Sequence, residues 1–456
     1  MGKKGVRIWE EKLTIPTYAL GEAEKNPMFC ENRSYQGGKG TVYPYPVIEQ
    51  ISEEKSDRDY QAVYLENEYI RLCVLPELGG RIYRAYDKTN DTDFVYYNQV
   101  IKPVLAGLCG PWLMGGVEIC WPDYHQTSTF LPLRYKLEEN DDGSITLILR
   151  DADKKTGMVC DTYITLHPGH AGVEIKGQIY NGTPVAQHAF WGVNMMVTAG
   201  ENARNIYPPD THPPRRKKIS HANTAQTVFS AYDFVGSYDY ERKAGVLQLA
   251  DWHLAPGKRR MTHGNGMAGQ SWEHRMTDED GPGEELMSGM FLKNRPRQEW
   301  IAPFEEMSFQ QYLLPYKGIG VVKNATKDLA VGLELSDDDV CICVYAAIKC
   351  EVRVVLTEGV QTLYEEDIRL SPEKSYEKRC SCSVVRETSL ELTVYDLQTN
   401  KCLLTYRPQE EPKDATVEQA QWEPAAVGEL LAIKEKMLDL VLTFFNLCSN
   451  ELLLSR

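Results

Sequence analysis

The sequence has no apolar run approaching the roughly 20 residues needed to span a bilayer. Its opening, MGKKGVRIWEEKLTIPTY, lacks the apolar core of a secretory signal, so a cytoplasmic protein is expected. Val6 stands where myristoylation needs Ser or Thr. Basic residues are in deficit: 50 Lys and Arg against 65 Asp and Glu give a formal charge of −15. Such a surface repels phosphate backbones and anionic lipid, which excludes nucleic acid and membrane as the main partners. The 12 cysteines lack the short-spaced framework of a small secreted domain and read as buried thiols. Cys341/Cys343 and Cys380/Cys382 each put two sulfurs on one strand face, but no nearby His completes a zinc set, and no metal is expected.

Helical periodicity is scarce as well, until Leu430, Ile433, Met437, Val441 and Phe445 mark a helix beginning near Ala426. What fills the chain instead is short alternating runs such as GSITLILRD, GVEIKGQIYNGT and EVRVVLTEG, each closed by turn residues. Strands without intervening helices predict antiparallel sheets packed as a sandwich or barrel. The expected order is a lead-in over 1–59, a strand-rich body over 60–322 and a smaller sandwich over 323–408. A Pro-bounded linker and the terminal helix follow over 409–456.

Two familiar phosphate motifs fail on their flanks. Gly264, Gly266 and Gly269 match GxGxxG, yet PGKRRMTH before them and QSWEHRMTDEDGPG after them lack a strand-then-helix pattern. Pro256-Gly257-Lys258 lacks the rest of a P-loop, and the basic run at 213–218 reads as a solvated loop. No nucleotide cofactor is expected.

Three segments combine flat aromatics with acids, amides and histidines, the mixture that meets both the apolar face and the hydroxyl rim of a sugar. Residues 110–132 supply Trp112, Glu118, Trp121, Asp123, Tyr124 and His125; residues 188–197 supply His188, Trp191 and Asn194. Residues 250–291 add Trp252, His253, His263, Trp272, His274 and Glu285. Their clustering predicts a sugar groove on a sheet face, taking a small carbohydrate. Glu118 and Glu285 are the candidate carboxyl pair of a glycoside hydrolase, with His125 as an orienting group or proton donor. Trp121, Asp123, His188, Trp191, Asn194, His263 and Trp272 are the candidate binding residues. A sugar-binding module without chemistry would keep the tryptophans but need no paired acids.

The stretch ENEYIRLCVLPELGGRIYRAYDKTNDTDFVYYN resembles the opening strands of the galactose-mutarotase-like superfamily. More closely, NPMFCENRSYQGGKGTVYPYP, LCGPWLMGGVEICWP, HGNGMAGQSWEHRMTDEDGP and PYKGIGVVKNATKD resemble the DUF5107 family of bacterial proteins, over roughly residues 5–335. The resemblance implies a β-supersandwich that handles carbohydrate, a fold shared by mutarotases, epimerases and several glycoside hydrolases. It also implies a rival chemistry, in which His125, His188 and Glu285 serve as the acid–base set of an aldose epimerase. Family members often continue into tetratricopeptide-type repeats.

Overall fold

The computed structural model describes residues 5–25, 28–29, 42–45, 47–107, 110–211, 223–227, 230–292, 295–296, 299–336, 339–381 and 387–409. All of these fall within one compact unit, Met1–Lys413. The helix expected near Ala426 and the basic run at 213–218 lie outside the described residues.

Alternation of apolar and polar residues builds two large antiparallel sheets. Val173–Tyr180 shows the pattern: Val173, Ile175 and Ile179 are buried while Glu174, Lys176 and Gln178 point outward. One sheet has ten strands, and its middle runs Arg81–Asp87, Val117–Cys120, Gly192–Thr198, Gly283–Gly289 and Gly257–Thr262 in spatial order. Arg7–Leu20, within the expected lead-in, is an edge strand of this sheet, paired along Ile51–Glu66. The other sheet has eight strands, with Val173–Tyr180, Glu306–Lys317 and Ala244–Ala250 near its centre. Between them lies one core, in which Val117, Val193 and Leu286 pack with Leu147, Ile175, Leu247 and Leu313. Each such side chain contributes about 1.5–3 kcal/mol on burial.

Two further four-stranded antiparallel sheets, between Asn324 and Tyr406, enclose their own core around Val331, Ile342, Val354 and Leu392. They join the larger body through the Ala171 N–H donated to the Ala347 carbonyl at 2.8 Å and through His170 against Asp328 at 3.2 Å. The protein is therefore all-β apart from short helical turns and one α-helix among the described residues, Met267–Met276.

That helix corrects the reading of the glycine motif. A strand, Gly257–Thr262, precedes the glycines and the helix follows them, as the dinucleotide fingerprint requires. The helix escapes periodicity because MAGQSWEHRM buries only Gly269 and Met276. The surroundings differ from a Rossmann unit, since Gly257–Thr262 pairs antiparallel with both its neighbours and no parallel crossover follows. Gly269 answers a packing need instead: a Cβ there would come 2.0 Å from the Gly264 carbonyl oxygen. The glycines let a loop fold tightly onto the helix start.

Among the described residues, no group of three or more His, Cys, Asp or Glu is arranged to hold a metal ion. No described helix is long and apolar enough to cross a membrane.

Candidate functional site

The outer face of the ten-stranded sheet is decided by register. Glu118 stands opposite Asn194, and Asn194 stands opposite Met287. Met196 and Met261 both stand opposite Glu285, and Arg259 stands opposite Met287. Residues opposite one another, or two apart on a strand, share a face. Glu118, Asn194, Glu285 and Arg259 thus lie on one face, with the core residues Val117, Val193 and Leu286 on the other. Glu118 and Glu285 are two strand spacings apart across the sheet and two residues apart along it, roughly 12 Å between backbone positions.

Glu118 enters this face through a close approach of two strands. A Cβ at Gly116, whose φ is +63°, would lie 2.0 Å from the Ile82 carbonyl oxygen. The glycine lets Val117 pair with Ile82 and points Glu118 at Arg81. The carboxylate is 1% exposed. Its Oε1 accepts the Gln126 N–H at 2.9 Å, and its Oε2 accepts the Trp112 indole N–H at 3.1 Å. His125 Nδ1 lies 3.3 Å from Oε2 and Arg81 Nη2 lies 3.8 Å from it. Burial pushes the Glu118 carboxyl up, but His125, Arg81 and the Gln126 amide outweigh it and hold the group at about 2. Glu118 is a fixed anion.

Its neighbour faces outward. The His125 side chain is 28% exposed, with its ring edge-on to Trp112 at 5.4 Å between centroids. Burial pushes the imidazole down, while Glu118, with Glu285 adding, pushes it above the ordinary histidine range. Glu285, opposite Met196, accepts the Asn194 Nδ2 hydrogen at 2.8 Å. His263 continues the row from the end of its strand, stacked on Trp272 at 5.7 Å. Burial lowers its pKa, Glu285 opposes that fall, and its Nε2 is buried without a hydrogen-bond partner.

Apolar clusters bound this polar row. Trp112, Tyr96, Met114, Met196 and Met276 form one, with Trp272 packed against it. Cys120, Phe190 and Met287 form the other, with Tyr124 packed against it. The arrangement offers a proton donor and a carboxyl between flat apolar walls.

Several expected site residues are placed elsewhere. Trp121 and Trp191 point into the core between the sheets, Trp191 stacked on Phe309 at 5.3 Å; neither lines the outer face. The indoles fill the inter-sheet space because successive residues of a strand point to opposite sides. His188 lies on the separate ribbon formed by Gln187–Ala189 and Glu299–Ile301, exposed, its ring against Trp300. Asp123 sits beside Asp153 and Lys155. Burial raises it to about 6, with Lys155 opposing and Asp153 adding. Asn194, His263 and Trp272 are on the Glu118 face with His125 and Glu285. The face also holds Arg81, Gln126 and Arg259, which are not among the candidates from sequence; Arg81 directly follows the PELGG turn and Arg259 sits in the KRR run, the sequence signals that mark them.

The model of the family described as a domain of unknown function, DUF5107, matches residues 38–318. The chain belongs to the DUF5107 family. A second match, described as the second domain of YphG-like protein, covers residues 324–406 and so the smaller pair of sheets. Among solved structures, the DUF5107 chain is similar to a TPR-domain containing protein from Parabacteroides distasonis, at 18% identity and a TM-score of 0.62. That likeness, which is one of fold, covers 68% of this chain and 55% of the other; the chain spans little more than half of that protein's length. It is also similar to the Slr1438 protein from Synechocystis, at 13% identity and a TM-score of 0.44, over 56% of this chain and 96% of the other. A galactose mutarotase-like protein from Clostridium acetobutylicum matches at 8% identity and a TM-score of 0.41, over 57% and 96% of the two chains.

Proposed function

We propose that this DUF5107 protein is a carbohydrate-processing enzyme that interconverts the anomers of a free aldose by proton transfer. The observation that carries the reading is the partly exposed His125, backed by the buried Glu118 carboxylate, on the same sheet face as Glu285. In the forward step, protonated His125 gives its proton to the ring oxygen while Glu285 takes the anomeric hydroxyl proton. The C1–O5 bond breaks as the C1 carbonyl forms. Rotation about C1–C2 presents the other carbonyl face, and the reverse transfers close the ring. Asn194 aims Glu285, and Trp112, Trp272 and Tyr124 supply walls for the apolar face of the sugar.

Hydrolysis by Glu118 and Glu285, the reading the sequence favours, asks Glu118 to reach substrate and to titrate or attack. With both oxygens engaged by Trp112, His125, Arg81 and the Gln126 amide and its pKa held at about 2, Glu118 is neither a ready proton donor nor a free nucleophile. The residue instead suits a supporting role, orienting a histidine and favouring its protonated form.

Polarimetry on a panel of free aldoses, run beside a reducing-sugar assay on oligosaccharides, separates the chemistries. The expected result is accelerated mutarotation with every glycosidic bond intact. His125→Asn and Glu285→Gln should each lower that rate at least ~100-fold, the low end for general acid–base catalysis. New reducing ends would restore hydrolysis, and sugar binding without either activity would leave a binding module.

A further inference from the structure

The basic side chains of the two large sheets are mostly answered by the protein itself. Arg84 pairs with Asp93, Arg150 with Asp161 and Arg260 with Glu284, and buried Arg81 reaches the Gly115 carbonyl and Glu118. Arg259 differs. It makes no hydrogen bond or ion pair among the described residues, and its Nε is buried without a partner. Its guanidinium lies over the Tyr124 ring, 5.3 Å from the centroid. The side chain belongs to the candidate face: Arg259 stands opposite Met287, and Met261, two residues along the same strand, stands opposite Glu285. Arg259 and Glu285 are therefore offset by roughly 7 Å along the sheet, a span that one hexose covers. Arg81 is balanced by Glu118, and protonated His125 by Glu285 nearby, which leaves Arg259 as unmatched positive charge on this face.

A guanidinium presents five donors in a planar fork that matches a carboxylate or phosphate bidentately, and stacking on an aromatic ring holds that fork in place. A neutral hydroxyl would leave most of those donors unanswered. We propose that Arg259 forms an oxyanion subsite, so that the aldose taken at the His125–Glu285 face carries a carboxylate or a phosphate group. The inference rests on the reading of this face as an aldose site and names the substrate class.

The test measures binding of glucose, glucuronate and glucose 6-phosphate by calorimetry, and turnover of the same three sugars by polarimetry. Wild-type protein, R259Q and R259K are compared, with thermal melts confirming that both variants fold. At least one anionic sugar should bind about 10-fold or more tightly than glucose, the low end for charge-assisted hydrogen bonds. R259Q should abolish that preference, R259K should retain part of it, and salt should weaken it. A gain for glucuronate alone identifies the carboxylate, and a gain for the 6-phosphate alone the phosphate. Equal affinity of wild type for all three sugars, or a preference that survives in R259Q, overturns the subsite. Turnover of neutral aldoses without anion preference would sink the subsite while sparing the proposed chemistry. Arg259-dependent anion binding with no turnover of any aldose would do the reverse.

Discussion

Glu118 Oε2 and His125 Nδ1 lie 3.3 Å apart, with the carboxylate sealed from solvent and the imidazole open to it. The pair couples a buried charge, fixed by Arg81, Trp112 and the Gln126 amide, to the one neighbour placed to exchange a proton outside.

Glu118→Gln should cost stability, because it leaves Arg81 buried opposite a neutral group. Breaking a buried pair costs about 3–5 kcal/mol. The Glu118 pKa lies below its ordinary value of 4.5. Its contribution is therefore present above that value and is lost as pH falls toward about 2. Urea denaturation across that window should show wild-type stability dropping with acid and the variant dropping less. A variant as stable as wild type at pH 7 would remove the charge-pair account.

His125 titrates in the opposite sense. Its pKa is raised in the folded protein, so the stability it contributes is full below the ordinary histidine range and fades as pH rises through the elevated value. Activity that needs protonated His125 should fall along the same limb. In Glu118→Gln that limb should move to lower pH, and the imidazole NMR titration should move with it. An unchanged limb would show that Glu118 does not set the histidine.

Asn194 is expected to act as a positioning residue through Glu285. Asn194→Ala should lower kcat about 10-fold or more with a smaller change in KM, the pattern of lost orientation rather than lost binding. Asn194→Asp places a second carboxyl beside Glu285 and should shift the acid limb of the pH–rate profile upward. Flat profiles in both variants would assign Asn194 a purely structural role.

The tryptophans should divide by location. Trp191→Ala empties a core site stacked on Phe309 and should cost about 3–5 kcal/mol. Trp272→Ala touches a half-buried ring beside His263 and should cost no more than about 1.5 kcal/mol while weakening sugar affinity. Chemical denaturation and calorimetry on the two variants check both halves.

Much of this fold is legible because alternation is local: VEIKGQIY states in eight residues which side faces the core. The helix Met267–Met276 is not legible, since it buries too little to leave a periodic stripe. The chemistry-bearing segments around Glu118, Asn194 and Glu285 stand out by composition. Composition does not say which face each side chain takes, so Trp121 and Trp191 read like platforms although they are core.

The sequence by itself determined an all-β chain, the acidic surface and the segments whose residues meet at the candidate face. Those properties depend on composition and on neighbours two residues apart. Only the tertiary structure decided that Glu118 is buried on Arg81, that Asn194 holds Glu285, and that Arg259 stands unpaired beside them. These relations join strands far apart in the chain. The pairing register and the close approach at Gly116 create them, and both are set by how the whole sheet packs on its partner.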